Sequence, residues 1–211
     1  MKAHFAISPE KLVESMGGRF SAGLGIDLAS GSEDALFAWL VAALLYGGRI
    51  SSRIAERTFA VLNRRGLVSP RAILDAGRET LIAALDEGGY ARYDIRTAEK
   101  LMASARRLIS EYGGSLSSLH LRSAGPSDLE IRIMALAKGI GPVTAGIFLR
   151  EMRGIWEKAQ PEMGGIARAA AVSLGYIGSA GDAGAWLQTF PDPAGLEAAL
   201  VRYGLRAKTG R

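Results

Sequence analysis

The segment Gly139-Ile140-Gly141-Pro142 separates two apolar stretches and has the residue types needed to hold an anion. Glycine adopts positive φ at no steric cost, so Gly139 and Gly141 could both do so and form an open turn. The amides that start the following helix would then point outward, where the helix dipole favours negative charge. Thr144 is a residue type that caps helices. This spacing predicts a phosphate-binding turn, with an ordinary tight turn between two core helices as the alternative.

Two other segments, 46–49 and 88–93, each combine glycines with an aromatic residue and an arginine. The residues concerned are Tyr46 and Arg49 in the first segment, and Tyr90 and Arg92 in the second. A tyrosine could enter the space left by a flipped nucleotide as a wedge, while the arginine contacts phosphate or the orphaned base. The alternative is that the tyrosines pack in the core and the arginines are solvated.

Composition limits the classes of function. The chain has 211 residues, 26 Lys and Arg against 21 Asp and Glu, and a net charge of +5, which allows a polyanionic partner without requiring one. It has no cysteine, which excludes disulfides, thiolate metal sites and iron–sulfur clusters. Only His4 and His120 are present, so a histidine-rich metal site is excluded too. Without a leader pattern or a run of about 18 apolar residues, we expect a soluble, cytoplasmic protein.

Apolar residues recur at helical spacing, and alternating strand patterns are nearly absent, so the sequence predicts an all-α fold. Ser8-Pro9-Glu10 is a typical helix start. A strongly apolar helix from 32 to 46 is predicted to be central to the core, with Trp39 buried in it. The predicted helices span 9–16, 32–46, 50–64, 69–76, 78–87, 95–112, 127–138, 142–153, 165–174 and 194–203.

The order of these parts resembles the helix-hairpin-helix base-excision DNA glycosylases, and the endonuclease III type most of all. The resemblance covers about residues 34 to 175 and is most specific at Gly139-Ile140-Gly141-Pro142-Val143-Thr144-Ala145. The run 93–100 is similar to the loop and helix that precede the family's hairpin, and 168–175 to the helix after its catalytic loop.

The resemblance implies two helical lobes with DNA and the active site in the cleft between them. The central six-helix lobe would span 32–153, and both chain ends, 1–31 plus 154–211, would form the second. The hairpin amides would hold a phosphate of double-stranded DNA, and backbone carbonyls could hold a structural Na⁺ or K⁺. No other cofactor, no membrane association and a monomeric state are expected.

The catalytic residues depart from the family pattern. The nucleophilic lysine of bifunctional members corresponds to Val143, which cannot form a Schiff base. The family's aspartate falls near Pro161, where this chain has no aspartate. Glu162 is the nearest carboxylate and the first choice of catalytic residue, with a surface acid stabilised by the following helix as the alternative. Lys158 is the alternative nucleophile if its loop enters the cleft, although a solvated phosphate-binding lysine is the simpler interpretation.

Two flanking side chains complete the predicted interface. Lys138 could contact a backbone phosphate. Equally, its positive charge could interact favourably with the dipole at a helix C-terminus. Trp156 could stack on an extruded base, whereas a loop tryptophan more often locks two lobes together. Trp186 is predicted to pack within the terminal lobe.

Three functions follow from this sequence. The first is a monofunctional glycosylase that removes a damaged or mismatched base with water and Glu162. The second is a DNA-binding protein that has lost its catalytic residues, and the third is a helical scaffold whose hairpin binds a protein partner.

Overall fold

The structure is a computed structural model that describes residues 7–209. Regular structure in this range is helical throughout, which confirms the predicted all-α class. The helices are α1 (Pro9–Met16), α2 (Phe20–Gly23), α3 (Glu33–Tyr46), α4 (Ser52–Arg64), α5 (Pro70–Gly88), α6 (Asp94–Tyr112), α7 (Leu116–Leu121), α8 (Pro126–Ala135), α9 (Pro142–Glu151), α10 (Gly165–Ser173), α11 (Ala183–Leu187) and α12 (Pro193–Thr209), with a 3-10 turn at Leu28–Ser30. His4 lies outside the described residues.

Serine caps explain why several helices begin where the sequence predicts. The Ser8 hydroxyl accepts a hydrogen bond from the Lys11 amide at 3.3 Å, and Pro9 is the first helical residue. Ser32 caps α3 in the same way, through the amide of Ala35 at 3.2 Å. Each serine satisfies an amide that has no partner within its own helix. These signals are local, so sequence alone can reveal them.

α3 is the central helix of the fold. Its residues 36–45 are all buried, and α4, α6, α7 and α9 contact it. Trp39 is fully buried and donates its indole N–H to the carbonyl of Phe148 in α9 at 3.1 Å. Since a buried indole N–H needs an acceptor, this bond also fixes how α3 and α9 pack. The core role predicted for this helix and for Trp39 is confirmed.

Helix boundaries follow glycines and prolines more closely than apolar periodicity. The predicted helices 69–76 and 78–87 form the single element α5, which is broken by Gly77 at φ 74°. α8 ends at Ala135, three residues before the predicted end. α12 continues to Thr209, beyond the predicted end at 203. Glycine permits the positive φ at the α5 break, where an L side chain would be strained.

Buried apolar residues form two clusters. The larger surrounds α3 and includes residues of α4, α5, α6, α8 and α9. It also takes in Phe20, Ile26 and Trp156, which lie outside the predicted 32–153 lobe. The smaller cluster joins Leu12 of α1 to α10, α11 and α12. Trp186 packs in this cluster with its ring 5.6 Å from that of Tyr176, as the sequence predicts.

Glu151, the last residue of α9, attaches residues 19–21 to the larger cluster. The fully buried Glu151 carboxylate accepts hydrogen bonds from the amides of Phe20 at 2.6 Å and Ser21 at 2.8 Å. Arg19 donates to the Glu151 carbonyl at 2.7 Å and pairs with Asp192 at 2.8 Å. A buried carboxylate is tolerated here because amides at the start of α2 satisfy it.

Between residues 7 and 209, no helix has both the length and the apolar character to cross a membrane.

Candidate nucleic-acid interface

The turn between α8 and α9 occupies residues 136–141. Gly139 has φ 90°, as the sequence predicts, and a Cβ atom there would lie 3.4 Å from Lys100 Cε. The prediction of positive φ is wrong for Gly141, which is extended at φ −107° and immediately precedes α9. A side chain at Gly141 would meet no atom within 4 Å, so the turn is open to solvent at that point.

Several amides of this turn have no partner. Ile140 donates to the Ala137 carbonyl at 3.1 Å, and Ala145 donates to the Gly141 carbonyl at 3.0 Å. Within the described chain, no acceptor is found for the amides of Lys138, Gly139 and Gly141 in the turn, or for those of Val143 and Thr144 in the first turn of α9. Unpaired amides at a helix N-terminus favour an anion through both hydrogen bonding and the helix dipole.

Thr144 does not cap α9, contrary to the prediction. It lies within the helix and is 5% exposed, and no side chain caps this helix. Its hydroxyl points at Gly47, where a Cβ atom would be only 2.1 Å from Thr144 Oγ1. Thr144 therefore packs the start of α9 against the end of α3, and only its backbone amide is left for a phosphate.

Tyr90 is not a wedge, because it is 1% exposed. Its hydroxyl donates to the carbonyl of Leu45 at 2.9 Å, and a Cβ atom on Gly48 would lie 2.0 Å from the Tyr90 hydroxyl oxygen. Burial raises the pKa of Tyr90 to about 12, so the hydroxyl stays protonated and able to donate. Tyr90 thus packs the 88–93 segment against the end of α3.

These two buried contacts bring three predicted DNA-binding segments together. Thr144 ties the α8–α9 turn to Gly47, and Tyr90 ties segment 88–93 to Gly48. We call the surface formed by residues 46–49, 88–93 and 136–141 the three-loop face. The buried side chains of Tyr90 and Thr144 hold the three segments together, and the exposed side chains and unpaired amides of the face are available to contact a ligand.

Basic side chains of the three-loop face remain exposed. Arg49 and Lys138 have no hydrogen-bond or ion-pair partner among the described residues, and the Arg92 guanidinium lies 5.6 Å from the Tyr93 ring centroid. Sequence reasoning missed Lys100, which lies against Gly139 and whose pKa is lowered by burial. Arg96, one helical turn before Lys100 on α6, shares its side of the helix. The basic i,i+4 spacing in 93–100 was the available signal.

Tyr46 is half-buried and turned toward α2. Its ring lies 5.4 Å from that of Phe20, and its hydroxyl donates to Glu56 Oε1 at 3.3 Å. Burial is the main cause that raises its pKa, and the Glu56 charge adds to the effect. The Tyr46 side chain therefore lines a cleft beside α2 and α4 instead of projecting as a free wedge.

Val143 is 71% exposed in the first turn of α9. It presents an apolar side chain beside the unpaired amides of the turn, at the position where the resemblance implies a lysine in bifunctional enzymes.

Glu162 is exposed in a loop that a buried ion pair holds from both sides. Arg153 and Glu197 are 3.2 Å apart and their side chains are only 3% and 2% exposed. Arg153 donates to the carbonyl of Pro161, and Glu197 accepts from the amide of Gly164 at 3.0 Å. The backbone on each side of Glu162 is thereby fixed while its carboxylate stays in solvent, just before α10.

Two predicted site residues have structural partners instead. Lys158 donates to the carbonyls of His120 and Leu121, both at 3.2 Å, at the end of α7. These two bonds hold the amine against the end of α7, so the geometry opposes Lys158 as a nucleophile in a cleft. Trp156 is 6% exposed and stacks on His120 with ring centroids 4.8 Å apart, which leaves no free face for an extruded base. Both predictions are corrected.

No group of three or more metal-ligating side chains occurs among residues 7–209. A monovalent cation would have to be held by carbonyl oxygens of the α8–α9 turn, a donor type that suits hard cations. Two nearby carbonyls already accept hydrogen bonds, that of Ala135 from Arg107 and that of Ala137 from Ile140. The cation stays a prediction.

No protein-family model matches this chain, and no curated protein matches it at a significant level.

Proposed function

We propose that this protein binds double-stranded DNA through the three-loop face, with a backbone phosphate held at the start of α9. The observation that supports this most strongly is the set of unpaired amides of Lys138, Gly139, Gly141, Val143 and Thr144, beside the basic side chains of Lys138 and Lys100. Amides and cations together suit an anion such as a DNA phosphate, and they do not suit an apolar partner. In this proposal α8, the turn and α9 together act as a helix-hairpin-helix.

We further propose that the bound DNA is a substrate for hydrolysis of an N-glycosidic bond. Water adds to C1′ of the deoxyribose, the bond from C1′ to the base nitrogen breaks, and the base leaves with the electron pair and takes a proton. The Glu162 carboxylate would stabilise the oxocarbenium-like transition state and receive the proton of water. Val143 cannot form a Schiff base and the amine of Lys158 is engaged, so the reaction would leave an abasic site uncleaved.

The second candidate is a DNA-binding protein of the same fold without catalysis. It is favoured by the surroundings of Glu162, which is exposed and takes part in no hydrogen bond or ion pair of the described chain. Catalytic carboxylates usually lie within a cleft that encloses the substrate.

The binding proposal is tested with Gly141→Asp, which puts a negative charge where the phosphate would lie. This variant should fold, because Gly141 has extended backbone geometry and open space around it. Gly178→Asp is the matched control, since it makes the same charge change at an exposed glycine that is equally open. We expect wild type and control to bind duplex DNA with steep salt dependence, and Gly141→Asp to lose at least about tenfold in affinity. Equal binding by both variants would contradict the proposal.

Catalysis is tested on duplexes that each carry one deaminated, oxidised or alkylated base or a mismatch. Abasic sites are detected as strand breaks that require alkali. We expect one duplex to react, Glu162→Gln to abolish the reaction, and Lys158→Met to retain it. If every duplex is bound and none reacts, the second candidate is correct. If Lys158→Met alone abolishes the reaction, the carboxylate assignment is wrong.

A further inference from the structure

A cleft of about 500 Å³ lies between α2, α3, α4 and α12, beside the three-loop face. Its volume is within the usual range for small-molecule sites. The lining residues used below are Phe20, Tyr46 and Phe59, which are aromatic, and Glu56, Asn63 and Arg202, which are polar. Tyr46 belongs to both the cleft and the three-loop face, so the two features are continuous.

Glu56 supplies a hydrogen-bond acceptor to this cleft. Its Oε1 atom accepts from the Tyr46 hydroxyl at 3.3 Å, and its Oε2 atom accepts nothing from the described residues. An ionised carboxylate has two oxygens with two lone pairs each and no proton to donate. Glu56 can therefore accept two further N–H groups that lie side by side on a planar ligand.

Arg202 supplies donors to the same cleft. Its Nη1 atom donates to the carbonyls of Gly17, at 3.1 Å, and Gly18, which holds the guanidinium 3.9 Å from the Phe20 ring centroid. Its Nε and Nη2 groups have no acceptor in the described chain. The Phe20 ring also lies 5.4 Å from that of Tyr46, whose hydroxyl binds Glu56, so Arg202 and Glu56 line the same cleft on either side of these two rings.

An acceptor beside a donor discriminates among the nucleobases. The Watson–Crick edge of guanine offers two adjacent donors, N1–H and the 2-amino group, next to the acceptor O6, which complements Glu56 beside Arg202. Adenine and cytosine would each place a ring-nitrogen acceptor opposite the carboxylate, which has no proton to donate to it. Uracil and thymine flank their single N–H with two carbonyl oxygens, which a carboxylate repels. The aromatic side chain of Tyr46 gives the flat base a surface to stack against.

We propose that this cleft is a guanine-selective base pocket, in which Glu56 accepts from N1–H and the 2-amino group while Arg202 donates to O6. The base class includes guanines altered at C8 or N7, because those changes leave the Watson–Crick edge intact. This inference rests on the proposed function for the source of the base, a nucleotide extruded from DNA bound at the three-loop face.

The test titrates the full chain with the 5′-monophosphates of guanosine, adenosine, cytidine and uridine, followed by saturation-transfer NMR. All four carry the same phosphate, so differences between them report on the base. We expect the guanosine nucleotide to bind at least about tenfold more tightly than the others, because a good bidentate pair contributes discrimination of that order. Glu56→Gln should abolish the preference. Glu79→Gln, an exposed acid on α5 outside the cleft, should retain it.

The outcomes separate this inference from the proposed function. Equal binding of the four nucleotides, or a preference that survives Glu56→Gln, overturns the pocket even if duplex DNA binding is lost in Gly141→Asp. A preference that depends on Glu56 in a protein that fails to bind duplex DNA supports the pocket and overturns the proposed function. Glu56 is exposed, so Glu56→Gln should fold. Arg202→Lys provides a second variant, in which guanine preference should weaken while a charge remains.

Discussion

The hydroxyl of Thr144 lies where a side chain on Gly47 would begin, since a Cβ atom there would be 2.1 Å from Thr144 Oγ1. This contact joins the start of α9, with its unpaired amides, to the end of α3. The backbone of Gly47 is in the right-handed helical region, so the glycine is required by the close approach and not by its φ.

Gly47→Ala should destabilise the protein by about 1–3 kcal/mol, because the extra methyl group overpacks this junction. The measurement is the free energy of unfolding in urea. Gly146→Ala is the control, since Gly146 lies within α9 and a Cβ atom there meets nothing within 4 Å. That change should leave stability unaltered or raise it by up to about 1 kcal/mol. Equal effects of the two substitutions would argue against the close approach.

Tyr90→Phe should cost about 1 kcal/mol, because it removes the buried hydrogen bond to the Leu45 carbonyl. Its affinity for duplex DNA should not change, since the side chain is 1% exposed. Chemical unfolding and a DNA titration check the two statements. Full stability combined with lost DNA binding would restore the wedge role for Tyr90.

The Arg153–Glu197 pair should be far more costly to break than a surface pair. Arg153→Met leaves a buried carboxylate without its charge partner and is expected to cost about 3–5 kcal/mol. The double variant Arg153→Met/Glu197→Leu should recover part of this loss. Glu111→Gln, which breaks the exposed pair with Arg107, should cost less than about 1 kcal/mol. Urea unfolding of the four proteins tests this ranking.

His120 should make the protein less stable as the pH falls. Burial lowers its pKa below the ordinary value of 6.5, and Lys158 adds to the effect. The unfolded chain therefore binds a proton before the folded protein does, so stability declines from about pH 6.5 downward and levels off below the folded pKa. His120→Phe keeps the aromatic stack on Trp156 and should remove this contribution. An unchanged pH profile in the variant would contradict the assignment.

Lys138→Gln should weaken DNA binding by about the same factor on every sequence, and should lower the slope of log K against log salt by about 1. The side chain is exposed beside the unpaired amides, so the loss is that of one phosphate contact. Lys11→Gln, on α1, is the control and should leave the slope unchanged. A sequence-dependent loss would point to base contact by Lys138.

The amino-acid sequence by itself determined the features that depend on neighbouring residues. The helix start at Pro9 was predicted because a serine cap acts within a single turn. Burial of α3 was predicted because its apolar residues leave no polar side. The conformational freedom of glycine predicted positive φ at both Gly139 and Gly141, and the structure confirms it for Gly139 alone. These are short-range effects, which the order of residues contains.

Tertiary structure alone decided the direction of the site side chains and the short helices. Thr144, Tyr90, Trp156 and Lys158 were predicted to reach a ligand, but each packs against or hydrogen-bonds with a segment remote in sequence. Periodicity gives the side of a helix on which a residue lies, and it says nothing of what packs there.

Long-range contacts also contribute to the short helices α2 and α7, which were not predicted from the sequence. Glu151 accepts from the first amides of α2, and Glu33 accepts from the amide of Leu116 at 2.7 Å and that of Ser117 at 3.1 Å at the start of α7. A helix this short cannot offset the entropic cost of forming its first turn on its own. α7 also has a local cap, because the Ser115 hydroxyl accepts from the amide of Ser118 at 2.9 Å, but the carboxylate at the start of each of these helices is brought near only by folding.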